Sequence, residues 1–411
     1  MVSFRRLDSL TDSDLRGKRV LVREDLNVPL AVPAEGVGAG TPFITDDTRI
    51  RAALPTLRYL RDHGARVIVA SHLGRPKGAD PKLSLAPIAA RLSELLGVAV
   101  RLAPDSVGPE VLGLASALSD GSVLLLENIR FHPEEEKNDP AFARQLAELA
   151  DLYVNDAFGT AHRAHASTEG VAHCLPAVAG FLMSRELEAL GQILEQPRRP
   201  FWAIIGGAKV STKIGVIRHL GAKVDGLVIG GAMAFTFLKA QGHATGKSLV
   251  EADQIPVARE ILADLERRGV PLLLPVDSVV APSLDGPVAG VVGLDIPDDL
   301  IGVDIGPASI EAIRQALASA RAILWNGPMG VFEHPDFAKG TLAVARMLSE
   351  YTRAGATTAV GGGDSVAALE QSGEAEHVTH VSTGGGASLE FLEGRVLPGV
   401  AALSQQEARR S

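Results

Sequence analysis

A single cysteine, Cys174, in 411 residues rules out an internal disulfide. That fits a reducing compartment better than a secreted scaffold, and Cys174 itself reads as a small buried apolar residue. Aromatic residues make up only 4% of the chain. The core must therefore come from Ala, Val and Leu, which suits helices packed on buried parallel strands. An excess of positive charge is also missing. The net charge of −9 argues against a duplex nucleic-acid binder, yet a local arginine cluster can still attract small anions. Long apolar runs are absent: the most apolar stretch, Val171 to Met183, is broken by His173 and Pro176 and is too short to span a bilayer. The opening residues, Met1-Val-Ser-Phe-Arg-Arg6, hold no apolar h-region, so no secretory signal is expected. Together these absences predict a cytoplasmic protein that works on small molecules, with neither nucleic acid nor membrane as partner.

What is present is glycine, 43 residues of it, in a chain too long for one core. Short apolar runs alternate with turn-rich segments and amphipathic stretches, which predicts βαβ units and parallel sheets. The runs are Arg19–Val22, Arg66–Ala70, Val123–Leu126 and Leu152–Val154, then Phe201–Ile205, Leu227–Ile229, Leu272–Pro275, Ala322–Trp325, Thr358–Val360 and Val378–Val381. Helices are expected over Phe142–Ala150 and Ile255–Arg268. The fold class is α/β: two Rossmann-like lobes, each a parallel sheet flanked by helices, joined by a hinge helix. The first domain covers 1–183 and the linker helix 184–200, with Ser184 as its cap and Glu186 and Glu188 in its first turn. The second domain covers 201–396. The C-terminal segment, 397–411, either packs back on the first domain or frays. Val32–Pro42, rich in Gly, Ala and Pro, reads as a surface loop.

In open parallel sheets ligands bind beyond the carboxyl ends of the strands. In the first half those positions are charged: Arg23-Glu-Asp25-Leu-Asn27, Ser71-His72-Leu-Gly74-Arg75, Glu127-Asn128-Ile-Arg130-Phe-His132 and Asn155-Asp156 through Arg163-Ala-His165, with Arg49 after a separate turn. Such an arginine set suits a small ligand bearing phosphate and carboxylate, which the guanidinium fork engages in bidentate fashion. In the second half the same positions are glycine-rich: Gly206-Gly207, Gly230-Gly231, Asn326-Gly327, Gly361-Gly362-Gly363-Asp364 and Gly384-Gly385-Gly386. Each run is expected to open a helix whose N-terminus favours anions. Lys209 and Lys213, four apart, are expected to share a helical face and reach a polyphosphate. Asp364 suits Mg²⁺, which takes few carboxylates beside phosphate oxygens; a plain helix cap fits it equally well. Two lobes of this kind imply phosphoryl transfer, which needs positioning and charge neutralisation more than a protein nucleophile.

The motifs Arg23-Glu-Asp-Leu-Asn-Val-Pro29, Ser71-His-Leu-Gly-Arg-Pro76, Leu125-Leu-Glu-Asn-Ile-Arg-Phe-His132, Asn155 through His165, Gly206-Gly-Ala-Lys-Val-Ser-Thr-Lys213, Gly230 through Lys239, Trp325-Asn-Gly-Pro-Met-Gly-Val-Phe-Glu333, Gly361 through Asp364 and Ser382-Thr-Gly-Gly-Gly386 occur in this order. The chain thereby resembles the phosphoglycerate kinase family over nearly its whole length. The resemblance implies that Asp25, Asn27, Arg49, His72, Arg75, Arg130 and Arg163 bind 3-phosphoglycerate or 1,3-bisphosphoglycerate. It implies that Arg49 and Lys209 act on the transferring phosphoryl group, together with backbone amides around Gly363 and Gly386. Lys209, Lys213, Gly230, Gly306, Asn326, Glu333, Gly362, Gly363, Asp364 and Ser365 match contacts to ATP or ADP, and Asp364 matches the Mg²⁺ ligand. Hinge closure and a monomeric state are implied in the same way. Glu24 departs from the pattern, standing where the family usually carries an apolar residue, and should point away from the substrate.

Taken singly, these residues have plainer readings. Arginines are mostly solvated, and His162 with His165 suggests hydrogen bonding more than a metal pair. Gly242-His-Ala-Thr-Gly-Lys-Ser248 is one residue short of a P-loop, and Gly36-Val-Gly-Ala-Gly40 fails the dinucleotide fingerprint. A nicotinamide oxidoreductase would need that fingerprint. A non-catalytic relative would be expected to lack Arg49, Lys209 or Asp364, and all three are present.

Overall fold

Apolar runs without polar alternation must be buried on both faces, and they form the centres of two parallel sheets. The computed structural model describes residues 4–32 and 42–408. By internal contact the chain divides into one unit of Met1–Glu188 with Val396–Ser411 and another of Ala189–Arg395. Most of the expected loop at 32–42 lies outside the described residues.

In chain order the first unit comprises α1 (Asp12–Leu15), β1 (Arg19–Arg23), β2 (Leu30–Ala31), β3 (Phe43–Ile44), α2 (Thr48–Asp62), β4 (Arg66–Ala70), α3 (Ala86–Leu96), β5 (Val100–Leu102), α4 (Pro109–Ser116), β6 (Val123–Leu125), α5 (Pro140–Glu148), β7 (Leu152–Asn155) and β8 (Ala177–Ala179). Its main sheet runs β5-β6-β4-β1-β7-β8. The register sets Arg23 opposite Ala70 on one side and Asn155 on the other. The loops that follow these strands therefore leave the sheet along one edge. Val20, Val22, Val67, Val69, Leu125 and Val154 are buried with Ile50, Leu54, Leu57 and Leu60 of α2, whose spacing of three and four makes one apolar face.

The helix α6 (Phe181–Glu195) leads out of this unit. It begins three residues before Ser184, so Ser184 is not its cap: the hydroxyl is buried without a partner, and the Met183 N–H is instead held by Asp156 at 3.1 Å. Cys174 is exposed rather than buried, because it closes the surface turn Gly170–His173 instead of facing the sheet.

The second unit continues with β9 (Phe201–Ile205), α7 (Ile214–Gly221), β10 (Gly226–Ile229), α8 (Met233–Gln241), α9 (Ile255–Arg267), β11 (Leu272–Leu273), β12 (Ser278–Ala281), β13 (Gly290–Val292), β14 (Ile301–Ile305), α10 (Pro307–Leu317), β15 (Ala322–Asn326), α11 (Lys339–Arg353), β16 (Thr357–Gly361), α12 (Gly363–Gln371), β17 (His380–Val381) and α13 (Gly386–Leu392). Its parallel sheet runs β11-β10-β9-β15-β16-β17. An antiparallel sheet, β13-β12-β14, was not expected. Its strands carry exposed positions such as Val291 and a bulge between Val279 and Val280, so no clean apolar run marks them. The last helix, α14 (Pro398–Ala408), packs on β8 and the turn Gly170–His173.

Ile323 is fully buried at the centre of the second sheet. Ile323→Ala should cost that unit about 2–5 kcal/mol. Both tryptophans, Trp202 and Trp325, lie in this unit, so their fluorescence during denaturant unfolding reports the loss. A midpoint equal to wild type would show that this core does not limit the unit's stability.

Candidate active site

The first unit gathers its basic residues along one strand edge. Arg23, the last residue of β1, is 1% exposed. Its Nε donates to Ser167 Oγ at 2.8 Å, its Nη2 lies 3.2 Å from His72 Nδ1, and its Nη1 donates to the Glu24 carbonyl. A guanidinium is always a donor, so His72 Nδ1 accepts and the imidazole is neutral. Burial first, and then the charges of Arg23, Arg130, Arg163 and Arg49, hold His72 well below the usual histidine range.

Asp25 faces this group. Its Oδ2 accepts from Arg49 Nη1 at 2.6 Å, and its Oδ1 lies 4.0 Å from His72 Nδ1. Gly74, at φ 63°, joins two further expected residues: its N–H donates to Asn27 Oδ1 at 2.8 Å, and its carbonyl accepts from Arg130 Nη1 at 2.8 Å. That left-handed conformation is one few side chains tolerate. Arg130 is buried, with Nη2 lacking a partner. Its Nε is 3.2 Å from Glu136 Oε1 but poorly directed for a hydrogen bond. Burial pushes Arg130 down to about 10. Arg163 is half-buried against His162 at 3.2 Å. Buried Glu135 accepts from the N–H and hydroxyl of Ser167 at 2.8 and 2.6 Å.

The structure thus brings Asp25, Asn27, Arg49, His72, Arg130 and Arg163 together. Arg75 stands exposed on the loop after β4. Four guanidiniums thus surround one neutral histidine, a concentration of positive charge that can attract a small anion. Among the described residues no cluster of three or more histidine, cysteine or acidic side chains is grouped so as to hold a metal ion. Glu135 has no role in the sequence reading, and Arg23 has only a place in the strand-end arginine set. An arginine ending a fully apolar strand was the available signal.

In the second unit the glycine runs divide by purpose. A Cβ on Gly206 would stand 2.1 Å from the Pro328 carbonyl oxygen, one on Gly327 2.2 Å from that of Gly206, and one on Gly231 2.5 Å from that of Gly207. These turns cross backbone against backbone, and neither Gly206-Gly207 nor Asn326-Gly327 opens a helix. Gly363 and Gly385, by contrast, have open space where a side chain would stand. They lie at the starts of α12 and α13, where unpaired backbone N–H groups favour anions. Gly362 is the cap position of α12, so Asp364 does not cap it and sits exposed in the first turn.

Lys209 and Lys213 both precede α7, so they share no helical face. Lys209 is exposed. Lys213 donates to Asn326 Oδ1, and burial lowers it against the opposing pull of Asp364 and Glu393. Asn326 Nδ2 is buried without a partner beneath Gly362. The Ser365 hydroxyl accepts from Gly327 N–H.

Beside these groups opens a cleft walled by Phe235, Pro275, Val303, Met329 and Val331, with Glu333, Asp364 and Asp304 at its polar positions. Gly230 and Gly306 lie behind that wall, against the Met329 sulfur and the Asp277 carboxylate. Asp304 was not foreseen. It is buried, accepts from Gly340 N–H at 2.6 Å, and is pushed up to about 7 chiefly by burial. An apolar slot with a few polar groups suits a nucleoside, and a lone exposed carboxylate suits a Mg²⁺ ion held mostly by phosphate and water.

A family model described as phosphoglycerate kinase matches residues 10–395. The cytosolic phosphoglycerate kinase of Triticum aestivum is 57% identical over 408 residues, covering 98% of this chain and 100% of that protein. The phosphoglycerate kinase of Moorella thermoacetica is 60% identical over 401 residues, covering 97% and 99%. The solved phosphoglycerate kinase of Coxiella burnetii superposes with a TM-score of 0.87 at 42% identity, covering 98% of this chain and 99% of that one.

The histidine environment gives a direct expectation. Burial and the arginine charges lower His165 to about 4 from an ordinary 6.5. The unfolded chain takes up this proton first as pH falls. The group's stabilising contribution is therefore complete above about 6.5 and is lost as pH drops toward about 4. An imidazole NMR titration should show His165 neutral until the lower value. A midpoint at the ordinary value would place it outside the arginine field.

Proposed function

Because the chain belongs to the phosphoglycerate kinase family, phosphotransferases whose acceptor is a carboxyl group, we propose that its two strand-end sites divide the substrates between them. The first unit takes 3-phosphoglycerate or 1,3-bisphosphoglycerate through Asp25, Asn27, Arg49, His72, Arg75, Arg130 and Arg163. The observation that carries this reading is the convergence of Arg23, Arg49, Arg130 and Arg163 on one neutral histidine, which leaves positive charge for a phosphate and a carboxylate. The second unit takes ADP or ATP, its nucleoside in the apolar cleft and its phosphates near Lys213, Asn326, Gly362, Gly363 and Ser365. Gly230 and Gly306 shape the cleft from behind, and Glu333 supplies a polar edge.

The substrate carboxylate is already ionised at neutral pH, so no general base is needed. Its oxygen forms a bond to the γ-phosphorus as the bond to the bridging oxygen breaks, and the electron pair leaves with ADP. Arg49, Lys209 and the backbone amides near Gly363 and Gly386 neutralise charge on the transferring group. A Mg²⁺ held by Asp364 and nucleotide oxygens would add further neutralisation. Bringing donor and acceptor into line calls for a hinge movement, which also excludes the water that would hydrolyse the acyl phosphate. The protein is proposed to act as a cytoplasmic monomer, the compartment being the one named for the wheat relative.

Protein mixed with Mg-ATP and 3-phosphoglycerate should release ADP and, with hydroxylamine, yield a hydroxamate. A folded, nucleotide-binding protein that gives neither product would sink the proposal. Arg49→Ala should lower turnover by roughly 10²–10³. Its partly exposed pair with Asp25 should cost no more than about 1 kcal/mol of stability. Near-normal turnover in that variant would remove Arg49 from the transfer step.

A further inference from the structure

Behind the arginine site lie two acids that the transfer does not use. Glu24 and Asp156 are both fully buried. β1 and β7 pair with Arg23 opposite Asn155, so Glu24 and Asp156 follow side by side, and Asp156 N–H donates to the Arg23 carbonyl at 2.9 Å. Both Glu24 carboxyl oxygens and Asp156 Oδ2 are buried without a donor. Asp156 Oδ1 is well supplied by comparison, accepting from Met183 N–H at 3.1 Å. The Leu182 N–H and the Thr56 hydroxyl lie near enough to favour its charged form, and Thr56 Oγ1 accepts from Phe181 N–H at 3.0 Å. Asp156 therefore sits as an anion at the N-terminus of α6, where the helix favours negative charge. Two ionised carboxylates cannot share a dry site. A proton on Glu24 turns it into the missing donor and satisfies both side chains.

We propose that Glu24 and Asp156 share one proton, and that this acid–carboxylate pair is a positioning element that holds the Asp25 segment of the substrate site against the first turn of α6. The functional half of this inference rests on the phosphoryl-transfer reading.

The charged and titratable groups facing the pair are Arg23 and Asp25 beside Glu24 and Tyr153 from β7. α2 offers the Thr56 hydroxyl, and α6 offers its first backbone N–H groups. Of these, Arg23 favours the anion, and its guanidinium is already engaged by Ser167, His72 and the Glu24 carbonyl. Burial, then the nearby Asp156, raises Glu24 well above the carboxylate range. Burial raises Asp156 to about 6. An acid raised in this way is neutral at low pH, and its contribution declines as pH climbs toward the raised value. Beyond that value two buried anions repel and the Asp25 segment loosens.

Glu24→Gln keeps a donor for Asp156 and has no proton to lose. In D2O, infrared difference spectra should show the carbonyl stretch of a protonated carboxylic acid in wild type that the variant lacks. KM for 3-phosphoglycerate should rise in wild type at alkaline pH by roughly threefold or more, the scale of one lost hydrogen bond. In Glu24→Gln it should stay flat, with kcat moving less. A missing infrared difference overturns the shared proton, and superimposable KM profiles overturn the positioning role. Glu24→Met, which also removes the titrating group, replaces the glutamine variant if that one fails to fold. A protein inactive on 3-phosphoglycerate would instead overturn the functional reading, while the infrared comparison still decides on the pair.

Discussion

The buried guanidinium of Arg23 is the demand that the first unit is arranged to meet. Removing such a charge from water carries a penalty of several kcal/mol unless hydrogen bonds and a counter-charge replace the solvent. Ser167, His72 and the Glu24 carbonyl supply the bonds, and Glu135 supplies charge through Ser167. These partners come from different strand-end loops, so satisfying one cation fixes the relative placement of several. His72 accepts from Arg23 and cannot take a proton at that nitrogen. Asp25, free of a charged histidine, is left to pair with Arg49. The site's excess of positive charge is thus held in place by the solvation needs of its innermost member.

The second unit solves the opposite problem. Beside Lys209, Lys213 and Asp364, its loops bring backbones to within contact of one another. Gly206, Gly231 and Gly327 stand where any side chain would meet a carbonyl oxygen. Trp325, fully buried, donates its indole N–H to the Gly327 carbonyl at 2.7 Å and anchors the crossing from below. Beside this crossing lies the apolar cleft, with Asp364 of α12 at its edge. One unit gathers charged side chains at its strand ends, and the other brings backbone against backbone there.

Much of this was legible in the sequence, because a strand buried on both faces leaves an uninterrupted apolar run and its next residues are then the site. The α/β class, both parallel sheets and the gathering of Asp25, His72 and Arg130 follow from that rule, whereas Arg49 comes from the first turn of α2. It fails where burial is partial, as in β12 to β14, where exposed valines and a bulge erase the pattern. It fails too where a local signal competes with a distant one. Ser184 has the chemistry of a cap, but Asp156 reaches the helix first. Spacing alone placed Lys209 and Lys213 on a helix that begins only after both. Asp304 gave no signal, since an acid inside an apolar strand becomes notable only when the cleft beside it is seen.

The return of α14 to β8 has a consequence for how the chain is made. From Val396 onward the polypeptide belongs again to the first unit, so Ala189–Arg395 is, in sequence, an insertion within it. During synthesis the inserted unit emerges whole while the earlier one still lacks its final helix. Domains tend to fold as units as they leave the ribosome. Here the unit begun first is the one finished last, and its surface around β8 stays uncovered until the closing residues arrive.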